Sequence, residues 1–368
     1  MLFGNYGMWR ALFYTFIFKI LIFSVGVLLI GVFATRTGLV SGSGGNYGMF
    51  GLDQWPHVEA YTDFRDLYMK DLVAPFLQGH GAYQLGTIVY NYPPLFLYLL
   101  SVFAEVNVAW LPAVPLVAFD ILTVIPVYLI SKRFLFQDSA KVAFAVSLIW
   151  AVNPINLFYN DLMWLNPGPT TFFLLMAVYY FLKKDWYFSA FMLALSTGFK
   201  QISVLALPIL LVLMWNGRRP SRTSRQLRLD GEIPLVPKVS WKQSIRGLGR
   251  HLANGLVQTK PLLFYLATYI GFLVLISLPY IVTEPQNYFY SLQLPILGYP
   301  PGTSAGFPTQ FSYPLSEPTR VTTFLALLSF TNLQGLALIS YRFLDYAFAF
   351  AYVALIIYML WAKVEPSG

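Results

Sequence analysis

The chain has 368 residues, 57% of them hydrophobic, 18% aromatic and only 11% charged, where soluble domains carry about a quarter charged. That balance excludes a string of soluble domains, and the continuous rather than alternating apolar runs exclude a transmembrane β-barrel. The net charge is +8 and there is no cysteine, so disulfides, thiolate zinc sites and thiol nucleophiles are excluded as well.

The expected fold is an all-α polytopic membrane protein, one membrane domain over 1–368 with about eight (eight to ten) transmembrane helices. The first apolar run, Ala11 to Ala34, is too long for a signal-peptide core and reads as a retained span. A polar loop over 36–91 follows. Pro93, Pro94, Pro112 and Pro115 interrupt the next apolar stretch, so 94–106 is expected to lie along the outer interface and 112–131 to cross. The two together make 36–110 an outer loop carrying interfacial helices. Further spans are expected at 142–158, 167–182, 186–199, 202–215, 262–282 and 343–362. The pair 186–199 and 202–215 is short for full crossings, and a thin hinged pair would hold Lys200 near the outer surface. A second outer loop covers 283–342 and includes an apolar stretch, 321–338, that reads as a ninth span or a surface helix.

Charge sets the orientation. Between Gly217 and Lys260 there are ten Lys or Arg against two acids, Asp230 and Glu232. Nucleic-acid binding would need interleaved aromatics and a fold that the segment lacks. It reads instead as a cytoplasmic loop, 217–260, obeying the positive-inside rule beside anionic lipid. Arg10, Lys132-Arg133, Lys141, Lys183-Lys184 and Lys363 fall on the same side. The expected location is the cell membrane, with the active site on the outer face.

The first outer loop concentrates chemistry: Asp53, His57, Glu59, Asp63, Arg65, Asp66, Lys70 and Asp71. Residues 62–74 have the period of a short amphipathic helix, with Thr62 as its N-cap and Asp63 in its first turn. A carboxylate there is held ionised by the helix N-terminus and suits a base. Ordinary first-turn acids on a solvated helix would look the same. Within the second span, Asp120 is an intramembrane carboxylate, a group that is costly, usually paired, and a functional candidate by default. Lys19, within the first span, is the candidate partner. His57, His80 and His251 form no ligand set. His57 with Asp53 and Glu59 leaves a divalent ion open, yet no metal is indicated and no cofactor is expected. There is no Gly-rich phosphate loop, which argues against a nucleotide-sugar donor.

The run Asp63-Phe64 … Leu77-Gln78-Gly79-His80-Gly81-Ala82-Tyr83 … Asn91-Tyr92-Pro93-Pro94-Leu95 resembles the first outer loop of the GT-C glycosyltransferases. Gly198-Phe199-Lys200-Gln201, followed by Leu207-Pro208, is similar to a Phe-Lys-Gln segment of the N-glycan-pathway glucosyltransferases and related mannosyltransferases. Asn153-Pro154 … Asp161-Leu162 … Trp164 resembles their outer turn after the third span, and Ser329 to Gln334 an Asn-containing outer segment. The resemblance covers roughly residues 9–345. It departs in lacking the Asp-Glu pair at the base position, since Phe64 follows Asp63, and in ending soon after the eighth span, where many relatives continue.

The resemblance implies a GT-C-like bundle that transfers a hexose from a polyprenyl- or dolichyl-phosphate donor to a glycan, lipid or protein acceptor. Asp63 would be the base, with Asp66 and Asp53 as alternatives. Lys200, Arg320 and Arg342 would hold the donor phosphate, each at the outer end of an apolar segment. Tyr92, Gln201, Asp161 and His57 would contact substrate. For Lys200, snorkelling to the interface is the plain alternative. Two rival readings stand beside this one. One is a secondary transporter or lipid flippase using Asp120 and Lys19, which the absence of internal repeats disfavours. The other is a non-catalytic assembly subunit that kept the fold and lost the activity.

Overall fold

The computed structural model describes residues 6–36, 73–79, 81–83, 92–106, 110–136, 138–162, 164, 167–216, 241–297 and 350–360. Every regular element among them is helical. Asp53, His57, Asp63, Asp66, Arg320, Arg342 and the stretch 321–338 lie outside the described residues.

The first helix, α1 (Tyr6–Arg36), is 31 residues long and overruns the expected span at both ends. After a four-residue helix α2 (Ala74–Leu77), α3 (Pro94–Ala104) starts where Pro93 and Pro94 demand an extended entry and a helical first turn. α4 (Ala113–Leu122), α5 (Val124–Ile130) and a π-turn over Ser131–Leu135 form one apolar rod. The rod is interrupted at Thr123, whose hydroxyl donates back to the Phe119 carbonyl at 2.8 Å, and Pro126 in the first turn of α5 removes a backbone donor just after the break. α6 (Ala140–Ala151) is capped by Ser139 and stops short of the expected 158. Asn153-Pro154 breaks it, because a residue before proline avoids the α region. A three-residue helix α7 (Pro154–Asn156) and a π-turn over Leu157–Leu162 carry the chain to α8 (Pro167–Leu182).

The chain then folds back as α9 (Trp186–Phe199), over the range the periodicity suggests. The α8–α9 hairpin is antiparallel in one register. Ser189 donates to the Ala177 carbonyl at 2.9 Å and Ser196 to the Thr170 carbonyl at 2.8 Å. Small residues on the α9 face (Ser189, Ala190, Ala194, Ser196) let the two backbones approach, as membrane helix pairs require. A 3₁₀ segment, Gln201–Leu205, follows the break at Lys200 and leads into α10 (Ala206–Asn216).

The next helix, α11 (Trp241–Thr283), is 43 residues long, so the end of the segment assigned to the basic loop is helical. It runs beside α9 in the same sense: Tyr265 meets Ser189 at 3.1 Å and Tyr269 donates to Thr197 at 3.0 Å. α12 (Pro285–Leu297) places helix inside the expected second outer loop, and α13 spans Phe350–Leu360. α13 is tied to α10 by Asn216, whose amide donates to the Met359 carbonyl at 2.8 Å.

Among the described residues, three helical stretches are long and apolar enough to cross a membrane, namely Tyr6–Leu28, Ala113–Leu135 and Thr259–Thr283, and there are shorter apolar helices beside them. The protein is an all-α membrane protein. The principal core joins α1, α3, α4 and the start of α12 through Phe23, Phe96, Leu100, Leu116, Trp164 and Tyr288. Against it, Gly168 at the head of α8 crosses α4 so closely that a Cβ there would lie 2.5 Å from the Leu116 carbonyl oxygen.

Candidate functional site

Two constellations gather the chemistry-bearing side chains among the described residues. The first is buried between α1, α4 and the π-turn after α7. Lys19 donates to Asp120 and, at 2.6 Å, to Asp161, so one ammonium bridges two carboxylates. Asn160 donates to the other Asp120 oxygen at 2.8 Å. Lys19 and Asp161 have no solvent exposure and Asp120 has 1%. α1 and α4–α5 are antiparallel, with Gly7 facing Tyr128 and Phe23 against Trp110 at 6.2 Å, and that register sets Lys19 opposite Asp120. The third partner arrives because the π-turn swings Asn160 and Asp161 inward. Trp164 then closes the turn in a left-handed conformation (φ 54°), its indole donating to the Asp161 carbonyl at 3.0 Å while its ring packs on Phe23.

Such a network is a clamp. One ammonium serves two buried carboxylates, with Asn160 supplying a further hydrogen bond, and removing Lys19 would strand both acids in an apolar medium. The pairing of Lys19 with Asp120 agrees with the sequence expectation. Asp161, expected beside substrate, is instead fully buried in this clamp. Asn160 was not singled out; its signal was its place next to Asp161 in a short polar stretch between two apolar helices.

The second constellation lies where α3 begins and α9 ends. The Tyr83 hydroxyl donates to the Tyr92 carbonyl at 2.8 Å, so the Gly79-x-x-x-Tyr83 stretch fastens the Tyr-Pro-Pro-Leu entry to α3. Gly79 sits at φ 85°, a turn geometry that glycine adopts without strain. Tyr83 is held in turn by the edges of Tyr280 and Tyr288, at 4.8 and 4.9 Å between ring centres, and Tyr98 stacks on Tyr280 at 6.0 Å. Burial pushes the Tyr98 and Tyr288 phenols above their ordinary range, so both stay neutral at physiological pH. Gly81 rests against the Glu284 carboxylate, which would have to shift to admit a side chain there.

On this base, Lys200 occupies an extended residue (φ −152°, ψ 121°) between α9 and the 3₁₀ segment. Its Nζ stands 5.8 Å from the centre of the Tyr92 ring, within cation–π range. Gly198, two residues earlier, lets Leu95 of α3 lie on α9. Tyr92 and Lys200, 108 positions apart in the sequence, are therefore neighbours, and Gln201 adjoins them. Both Tyr92 and Lys200 are half-buried. A half-buried cation at a helix break, beside an aromatic face, is suited to an anionic headgroup with an attached sugar.

The family GPI transamidase subunit PIG-U matches residues 56–301, about two thirds of the chain. The chain belongs to the PIG-U family. No curated protein and no solved structure is matched. The family's description is that of a subunit of an enzyme, GPI transamidase, and says nothing of glycosyl transfer. The matched range contains the Tyr92–Lys200 corner, together with Asp120 and Asp161 of the clamp, whereas Lys19 precedes it.

Proposed function

We propose that this PIG-U-family chain is a membrane subunit of a GPI transamidase assembly that holds the lipid-linked glycan substrate without performing the bond chemistry itself. The observation that carries the proposal is the family match over residues 56–301. It favours the assembly-subunit reading of the sequence over hexosyl transfer. A GPI anchor is a phospholipid bearing a glycan, and the Tyr92–Lys200 corner offers what such a headgroup requires: a cation for phosphate and an aromatic face for sugar. The partners are then the other transamidase subunits, the protein substrate they process and the membrane lipid around them. The membrane is that of the endoplasmic reticulum, with the basic 217–260 segment on the cytoplasmic side and the corner facing the lumen.

The test is replacement of the endogenous subunit in a cell that depends on it. The chain should restore a GPI-anchored reporter to the surface and co-purify with the other subunits. Restoration by Asp63→Asn to the wild-type level would agree with a subunit whose Asp63 is no catalytic base. If neither reporter display nor co-purification occurs, the proposal fails.

The second reading is hexosyl transfer from a polyprenyl-phosphate donor with Asp63 as base. The joined Tyr83–Tyr92–Lys200 geometry favours it, because it unites three pieces of the GT-C resemblance. Purified chain in lipid, given radiolabelled polyprenyl-phosphate mannose or glucose, decides between the two. Transfer that disappears in Asp63→Asn would install the enzyme reading in place of the subunit reading.

A further inference from the structure

The clamp sets one ammonium against two carboxyl groups. Lys19, Asp120 and Asp161 are all buried, at 0%, 1% and 0% exposure, so solvent does not screen the imbalance. Among the described residues, the elements packed on the π-turn Leu157–Leu162 bring no second cation to it. α1 presents Lys19, while its Arg10 and Tyr14 lie against Phe144. α4 presents Asp120, α7 has no titratable residue, and α8 has only Tyr179 and Tyr180, at its far end. Were both acids ionised, one negative charge would stand unmatched in an apolar medium.

The hydrogen bonds distinguish the two acids. Asp120 has both oxygens engaged, one accepting from Lys19 and the other from Asn160 at 2.8 Å. Asp161 accepts from Lys19 through one oxygen at 2.6 Å, and its Oδ1 is buried with no hydrogen-bond partner. An ionised carboxylate with a bare oxygen is the costly form here, since burial disfavours charge most where no donor meets it. A neutral carboxyl still accepts from Lys19, and it leaves the ammonium and Asp120 as a balanced pair. A metal ion would also supply positive charge. The described residues, however, gather no group of three or more acidic, histidine or cysteine side chains to hold one, and the ammonium already serves both acids. We propose that the clamp holds one bound proton, on the Asp161 carboxyl, so that Lys19, Asp120 and Asp161 together are electrically neutral. Burial, and then the Asp120 charge beside it, act on Asp161 in the same direction and raise its carboxyl above the ordinary range. The bound proton makes the clamp a device that alkaline conditions loosen, and it is independent of the transamidase reading.

The experiment compares the full chain, in its native membrane assembly, with Asp161→Asn and Asp120→Asn. Each variant leaves one carboxylate for one ammonium, so neither has a proton to hold. At about pH 6, above the ordinary aspartate pKa of about 3.9, the infrared spectrum of the wild type should contain the carbonyl stretch of a buried carboxylic acid, and both variants should lack it. Stability gives a second readout. The folded chain keeps a proton that unfolded Asp161 releases, so rising pH favours unfolding until the folded Asp161 ionises as well. Between about pH 5 and neutrality, the wild type's unfolding equilibrium constant should rise about tenfold per pH unit relative to that of Asp161→Asn. The variant's unfolding temperature should accordingly gain on the wild type's as pH rises. Should Asp161→Asn fail to fold, Asp120→Asn carries both readouts. A wild-type spectrum identical to the variants' in the carboxylic-acid region would overturn the proposal. So would a stability difference that stays constant or moves the other way as pH rises, because Asp161 would then be ionised throughout.

Discussion

The clamp and the corner each place a lysine among packed helices, yet they treat its charge in opposite ways. Lys19 has no exposure, two carboxylates on its ammonium, and a third helix pinned by the same contacts. Lys200 is half-buried at a helix break, with its ammonium over a tyrosine ring. A lysine engaged by two carboxylates of its own chain holds structure and has little left for a ligand. A charge set beside an aromatic face at a break in the backbone is arranged for something that arrives. The contrast assigns stability to the first site and binding to the second.

Breaking the clamp should give the largest effect. Lys19→Met leaves two buried carboxylates facing each other and should lower stability by about 3–5 kcal/mol, read as loss of membrane-extracted protein and a lower unfolding temperature in detergent. Replacing all three charged members (Lys19→Met, Asp120→Leu, Asp161→Leu) should recover much of that loss, less the cost of the Asn160 amide left without its Asp120 acceptor, because packed apolar groups substitute for a buried ion network. A triple variant worse than Lys19→Met would mean that the carboxylates serve more than the clamp. Next in size is the α4–α8 crossing. Gly168→Val meets the Leu116 carbonyl and should cost about 1–3 kcal/mol. Gly198→Ala meets only the movable end of Leu95 and should cost less in the same thermal assay.

Smaller still is Ser196→Ala, which removes the bonds to the Thr170 carbonyl and to the Ser203 hydroxyl. The expected loss is about 1 kcal/mol, and a double variant with Ser203→Ala should add little to it. At the corner the order of effects reverses. Lys200→Gln should move stability by no more than about 0.5 kcal/mol while reporter display falls. An unfolding shift as large as that of Lys19→Met would erase the distinction between the two sites.

Much of the bundle was legible because membrane helices announce themselves. The α9 range followed from its apolar run, and Pro93-Pro94 fixed the start of α3. Lys19 and Asp120 were readable as partners, since charges are rare in spans and two of them invite pairing. The clamp's third arm was not readable. Asp161 reaches Lys19 only because a π-turn and a left-handed Trp164 redirect the backbone, and neither leaves a periodic trace. The break at Asn153-Pro154 was present in the sequence, but a hydropathy run to 158 concealed it. For the corner, the motif pieces were visible singly. Their joining depends on the Tyr83 hydroxyl meeting the Tyr92 carbonyl and on α9 crossing α3 at Gly198, both properties of packing. Function was harder, because a shared loop motif identifies a scaffold and the chemistry performed on it is a separate question.

The most direct test of this division is surface display of a GPI-anchored reporter in cells whose own subunit has been replaced by this chain or by its Lys200→Gln variant, at matched protein abundance. The account predicts normal abundance and assembly for Lys200→Gln, with display reduced about tenfold, equivalent to about 1.4 kcal/mol of lost substrate binding. Full display by Lys200→Gln at equal abundance would contradict it, leaving Lys200 as a surface cation and the corner without a ligand.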